Sequence, residues 1–159
     1  MCACILLGCD QETGAPVTES PEVSGSLLWA EGCKSEVTRG DADRNSTCMR
    51  FDYDAGKQQL TLHHVNAAFN CCPEEIIVEV EKEDNVIRII ESQRGPNCRC
   101  DCLYDLAILV EHVPAAAYMI IVEETRRNEK DTRIEFAVDL NVETDGIHCV
   151  PRNHYPYGL

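Results

Sequence analysis

Two cysteine groups carry the most reactive chemistry in this chain: Cys71-Cys72, and the alternating run Cys98-Arg99-Cys100-Asp101-Cys102. His63-His64 stands just upstream of the first group. Thiols at this density have three chemistries open to them: pairing as disulfides, binding soft metals as thiolates, or attacking as nucleophiles where the surroundings lower their pKa. If 98–102 is extended, its three sulfurs leave from one face with Cβ atoms roughly 6–7 Å apart, and a disulfide needs ~3.8 Å. These cysteines must therefore reach across to other strands. Cys71 and Cys72 point to opposite faces if extended, and a bond between them would close a strained ring. The economical arrangement joins one or both to members of the Cys98, Cys100, Cys102 set, and leaves Cys33 and Cys48 to close a loop near the N-terminal edge.

The metal alternative uses the same residues. Cys71, Cys72, Cys98, Cys100 and Cys102, with His63 opposite, offer a sulfur and nitrogen shell suited to zinc or cuprous copper. The C-x-C-x-C spacing differs from the C-x₂₋₄-C pairs of zinc ribbons. Adjacent histidines on a strand face opposite ways, so at most one of His63 and His64 joins any one site. A weaker signal is "GDADRNST", where Asp41, Asp43 and Asn45 open with calcium-loop spacing. Ser46 replaces the expected glycine and Asp52 the closing glutamate, so the stretch reads as an acidic turn. No G-x-S-x-G, H-E-x-x-H or phosphate-cradling glycine loop occurs. The expectation is a protein that is not an enzyme and has no cofactor, with zinc or copper as the alternative.

Which thiol chemistry applies depends on the compartment. Lys plus Arg is 14 and Asp plus Glu is 28, a formal charge of −14 in 159 residues. Such acidity repels phosphate backbones and anionic lipid heads, which excludes nucleic acid and a polybasic membrane patch. The chain opens "MCACILLGCDQETGAPVTESPEVSGS". Its Leu6-Leu7-Gly8-Cys9 resembles a bacterial lipobox, which implies acylation of Cys9 and removal of residues 1–8. No Lys or Arg precedes the apolar run, and the run is shorter than an export signal's usual 7–15 residues, so 1–8 reads as a signal remnant. Residues 9–26 are rich in Glu, Thr, Ser, Pro and Gly and read as a flexible tether. Anchor and tether place a domain of residues 27–159 in the cell envelope, held to the membrane by lipid and facing the periplasm or the surface, where an unknown protein or envelope ligand is its partner. Setting aside Cys2, Cys4 and Cys9 leaves 11 − 3 = 8 cysteines, an even number that fits complete pairing but leaves about 105 connectivities open.

The elements that must position these residues have period two. Met49, Phe51 and Tyr53 alternate with charged residues, and Leu60, Leu62 and His64 alternate with Thr61, His63 and Val65. "EIIVEVE" and "NVIRIIES" flank a turn at Lys82-Glu83-Asp84, and Tyr104, Leu106, Ile108 and Val110 share a face. "AYMIIVEE" and "RIEFAVDL" follow, and no stretch keeps a helical stripe for three turns. About seven strands predict an all-β, cysteine-rich, immunoglobulin-like antiparallel β-sandwich. Asp145-Gly146 reads as a turn, and "HCVPRNHYPYGL" as an irregular strap over a sheet edge.

With Asn66, Phe69, Asn70, Cys71, Cys72, Cys100, Cys102, Tyr104 and Asp105 in view, residues 60–123 resemble a group of uncharacterised bacterial lipoproteins. Their pattern is N-x-x-F-N-C-C followed by C-x-C-x-[YF]-D-[LV]. The resemblance implies an envelope-tethered β-sandwich and no particular activity.

Overall fold

The computed structural model describes residues 21–34 and 45–152. The described chain is all-β: β1 (Ser24–Glu31), β2 (Ser46–Asp54), β3 (Gln59–Asn70), β4 (Glu75–Glu83), β5 (Val86–Arg94), β6 (Asp101–Glu111), β7 (Ala117–Glu123), β8 (Glu135–Asp139) and β9 (Asp145–Pro151). They form a five-stranded sheet in the order β1-β6-β3-β2-β9 and a four-stranded sheet in the order β4-β5-β7-β8. No helix among the described residues is long and apolar enough to cross a membrane.

The alternation seen in the sequence decides what lies between the sheets. Met49, Phe51, Leu60, Leu62, Leu106, Ile108 and Val110 from the larger sheet share one buried cluster with Val78, Ile87, Ile89, Tyr118, Ile120, Val122 and Val138 from the smaller. Each such side chain removed from water contributes about 1.5–3 kcal/mol. Two tyrosines tie the β6–β7 connection to this core: Tyr53 donates its hydroxyl to Val113 O at 2.8 Å, and Tyr118 to Pro114 O at 2.9 Å. The molecule is thus the cysteine-rich β-sandwich that the pattern predicts.

It differs in detail. Nine strands are present among the described residues rather than about seven, because β1 and β9 flank the larger sheet. β1 starts at Ser24, inside the stretch expected to be tether, and Gly25 lets it lie against Val80 of the second sheet, where a Cβ would clash. β9 includes the expected Asp145-Gly146 turn and takes the place of the irregular strap along β2. The rest of that strap, residues 153–159, lies outside the described residues. One pair is not antiparallel: β5 and β7 run parallel, because the chain leaves the smaller sheet to form β6 and then returns. The turn between β4 and β5 falls at Asp84-Asn85, with Asp84 at φ 50° in the left-handed region that two-residue hairpin loops use.

Within β3 the register shifts between His64 and Ala67, around Asn66 at φ 63°. This one-residue slip changes which side chains face inward. Leu60, Leu62 and His64 are buried before it, and Ala67 and Phe69 belong to the main core after it. The bulge is held on several sides: Asn66 N donates to Asp105 Oδ1 at 3.0 Å, and its side-chain amide to Ser46 O at 2.9 Å. Lys34 Nζ bridges Asn66 Oδ1 at 3.1 Å and Asp105 Oδ1 at 2.7 Å.

A fully buried β5 side chain tests the core. Ile89→Ala is expected to cost about 2–5 kcal/mol, read as a lower urea midpoint at unchanged slope, while exposed Val142→Ala stays within about 0.5 kcal/mol of the natural protein.

Candidate functional site

The chemically capable side chains lie in three places, two of them holding residues expected from the sequence. The first is the end of the β3–β6 pair. Cys71 bonds Cys100 and Cys72 bonds Cys98, with Cα atoms 5.6 and 6.1 Å apart. These are cross-connections between the two groups, the economical arrangement expected from the sequence. Cys98 and Cys100 do not sit on an extended strand, however, since β6 begins at Asp101. Their loop is shaped by Asn70, the last residue of β3, which is only 2% exposed. Its Nδ2 donates to Cys98 O at 2.8 Å and to Cys100 O at 2.7 Å, while its Oδ1 accepts from Cys98 N at 2.9 Å and Cys72 N at 3.3 Å. The Asn70 backbone is gripped in turn: its N donates to Gln93 Oε1 at 2.8 Å, and its O accepts from the Tyr104 hydroxyl at 3.2 Å. The sulfurs of Cys71, Cys72 and Cys98 lie within 4.8 Å of one another, so two disulfides stand side by side.

The other two bridges correct an expectation. Cys33 and Cys48 do not close a loop together; Cys33 bonds Cys102 and Cys48 bonds Cys149. The reason is strand order. Cys33 follows β1, which pairs with β6, whereas Cys48 is on β2, three positions away across the sheet and roughly 14 Å distant at ordinary strand spacing. Cys102, placed in the candidate metal set by its spacing, is therefore occupied elsewhere. His63 also stands apart, eight residues before Cys71 and hence roughly 25 Å away along an extended chain.

His63 belongs to the second place, the outer face of the larger sheet. The register aligns Trp29, Ala107, His63, Arg50 and Ile147 in one row across all five strands. Trp29 and His63 are in ring contact at 6.0 Å, and Trp29 and Ile147 are 45% and 55% exposed. A shallow depression of about 460 Å³ opens between Arg50, Asp52, His63, Asp145 and Ile147.

The third place was not foreseen as a site. His64 points into the sandwich, where it meets Glu91 of β5, Glu124 just after β7 and Arg152 just after β9. Their side chains are 0%, 1%, 3% and 4% exposed. His64 Nδ1 is 2.6 Å from Glu91 Oε1, and its Nε2 is 2.8 Å from Thr47 Oγ1. The Thr47 hydroxyl spends its only proton on the carbonyls of Val65 (3.0 Å) and Asn66 (3.3 Å), so it accepts from Nε2. With that proton on the carbonyls, both ring nitrogens are placed to donate, the arrangement that suits a protonated ring. Burial opposes that charge, but Glu91 at hydrogen-bond distance and Glu124 at 3.9 Å outweigh it and Arg152, raising the pKa above the ordinary histidine value. Arg152 Nη2 donates to both Glu124 oxygens at 2.7 and 2.5 Å, and Nη1 to Thr132 O at 2.6 Å. Two cations and two carboxylates thus balance inside the protein, and Glu91 Oε2 alone of their oxygens lacks a hydrogen-bond partner among the described residues. A signal for this cluster was present: Glu91 continues the inward phase of Ile87 and Ile89, where an apolar residue would be expected.

Cys9, Asp41 and Asp43 lie outside the described residues. No family model, no curated protein and no solved structure matches this chain.

His64→Leu leaves Glu91 buried without its cation and is expected to cost about 3–5 kcal/mol in urea unfolding. The raised folded pKa also sets a pH dependence. Stabilisation by His64 is complete below its unfolded value of about 6.5 and is lost as the pH rises through the higher folded value. Urea midpoints of the natural protein should therefore decline on that alkaline side, and the double variant His64→Gln, Glu91→Gln should lose most of the slope.

Proposed function

We propose that this protein is an envelope-anchored, disulfide-stapled β-sandwich lipoprotein that acts as a binding module rather than an enzyme. The observation that carries the reading is the complete pairing of the eight cysteines beyond Cys9 into four bridges. Thiols at this density stay paired in oxidising compartments and stay reduced in a cytosol. The lipobox-like Leu6-Leu7-Gly8-Cys9 adds a membrane attachment, and the polar stretch that follows adds reach. The groups with most chemical reactivity are committed to structure: the described thiols are bridged, and both ring nitrogens of His64 are hydrogen-bonded inside the sandwich.

The surface best suited to a partner is the outer face of the larger sheet. Its central row carries Trp29, His63, Arg50 and Ile147, and Asp52 and Asp145 border it. Aromatic and arginine side chains concentrate binding energy at protein interfaces, and an acidic border on an acidic protein selects a partner with a cationic rim. The partner is accordingly a protein, held by apolar contacts with Trp29 and Ile147 at the two ends of the row and steered by the charges between them.

Metabolic labelling with an alkynyl fatty acid tests the anchor. The natural protein is expected to take the label and sediment with membranes, and Cys9→Ser to lose the label and become soluble. An unlabelled natural protein, or a labelled serine variant, would remove the lipoprotein reading. The binding face is tested by a photo-crosslinking residue at Ile147 and, as control, at Glu79 on the other sheet. Discrete, salt-sensitive products from Ile147 alone are expected, and equal products from both positions would sink the assignment.

A further inference from the structure

The paired disulfides at the end of β3 have a second chemistry available. We propose that Cys71, Cys72, Cys98 and Cys100 form a redox-gated tetrathiolate zinc site, closed when disulfide-bonded and open to one zinc ion when reduced.

Three observations carry this. First, the sulfurs are already gathered. Those of Cys71, Cys72 and Cys98 lie within 4.8 Å of one another, and Cys100 is bonded to Cys71, which puts its sulfur ~2 Å further. A tetrahedral zinc with Zn–S bonds of about 2.3 Å needs sulfurs ~3.8 Å apart. Opening the two bridges therefore asks each sulfur for a side-chain rotation rather than a movement of the chain.

Second, the backbone is held by bonds that reduction does not touch. Asn70, itself buried, bonds the carbonyls of Cys98 and Cys100 and the amides of Cys98 and Cys72. Cys71 N donates to Cys100 O at 3.2 Å. The four residues keep their places through amide hydrogen bonds whether or not the sulfurs are joined.

Third, the site is accessible. Cys98 and Cys100 are exposed, and Cys71 and Cys72 are partly exposed, so a reductant and an ion can both reach it. Cys48 of the Cys48–Cys149 bridge is only 1% exposed, and among the described residues neither of the other two bridges belongs to such a cluster.

The chemistry balances. Each disulfide takes two electrons and two protons from one dithiol donor, giving two protein thiols and one donor disulfide, so the pair consumes two dithiols. The four thiols then bind one Zn²⁺ with release of four protons, leaving a dianionic tetrathiolate. The reverse step needs two acceptor disulfides: they take four electrons from the four thiolates and four protons from solvent, leave as two dithiols, and the re-formed bridges release Zn²⁺.

The test uses the full chain, reduced with a phosphine and exchanged into buffer without chelator. Circular dichroism first reports whether the reduced protein keeps its β-sheet. Zinc is then added, and native mass spectrometry counts bound ions while alkylation followed by peptide mapping locates protected thiols. The expected result is one zinc per reduced chain, none on the oxidised chain, about four protons released on binding, and protection of Cys71, Cys72, Cys98 and Cys100 together. Cys33→Ser, Cys102→Ser should still bind, and Asn70→Ala should bind roughly 10–100-fold more weakly. Loss of β-structure on reduction before metal is added would overturn the proposal, as would a folded reduced chain that takes no zinc. Zinc held equally by Cys98→Ser, Cys100→Ser would overturn it too. If that variant fails to fold, protection of thiols outside the four in the natural sequence decides against the site in its place.

Discussion

The pairing of β3 with β6 is the constraint on which the rest of the molecule depends. β3 lies between β6 and β2, and β6 between β1 and β3, so each satisfies its backbone on both sides. Their shared bulge at Asn66 is held by Asp105, Lys34 and Ser46. It changes the inward phase of β3 between His64 and Ala67. Before the slip, the inward phase delivers His64 to the facing sheet; after it, Phe69 fills the core and packs edge-on against Tyr104 at 5.8 Å. Asn70, one residue later, is left free of the core's apolar side chains to bind the cysteine loop. A β3 without the bulge would turn Asn66, Ala68 and Asn70 inward, burying two amides in the apolar interior.

The disulfides complete what hydrogen bonds begin at the edges. β1 and β9 are the two outer strands of the larger sheet, and each is bonded on one side only. Cys33–Cys102 fastens the end of β1 to β6, and Cys48–Cys149 fastens β9 to β2, over separations of 69 and 101 residues. Closing loops of that size in the unfolded chain is worth somewhat more than closing those of 29 and 26 residues at the cysteine cluster, although the dependence on length is only logarithmic. Edge strands are the first to fray and to pair with foreign chains, so bridges at both edges limit local opening and aggregation together.

How much of this could be read in advance follows from how local each signal is. The strands β2 to β8 were legible because alternation is a property of neighbouring residues: Leu60, Leu62 and His64 declare their common face without reference to anything else. β1 and β9 were not, because "SGSLLWAE" and "DGIHCVP" do not alternate cleanly, and Asp145-Gly146 and Pro151 carry turn and breaker signals. Cys71 and Cys72 could be matched to the Cys98, Cys100, Cys102 set, because steric limits on disulfides left few other choices within the two motifs, but not to particular members of it. Cys33 and Cys48 misled because proximity along the chain says nothing about strand order, and β1 and β2 are separated by two other strands. The buried charges were hidden for a related reason. His63 drew attention as a possible ligand, but the inward histidine is His64, and its partners come from β5 and from segments after β7 and β9.

That buried cluster explains why the sandwich has one alignment of its sheets rather than several. Apolar faces of alternating valine, isoleucine and leucine can slide against one another at modest cost, since an exchanged methyl contact resembles the one it replaces. A carboxylate and an imidazolium cannot. Displacing β5 along the larger sheet by one residue pair would carry Glu91 away from His64 and leave both charges desolvated without a partner, at a cost of several kcal/mol. Replacing the cluster with hydrocarbon could leave stability equal or greater, so its contribution is to discrimination rather than to net energy. Arg152 extends the same control to the end of β9: its side chain reaches Glu124 and Thr132 in the β7–β8 connection, while its backbone pairs with Asn45 beside β2. The edge of one sheet is thereby registered against the other. The outer row of Trp29, His63, Arg50 and Ile147 keeps a fixed geometry because the strands beneath it are fixed from inside, by four charges that tolerate only one arrangement.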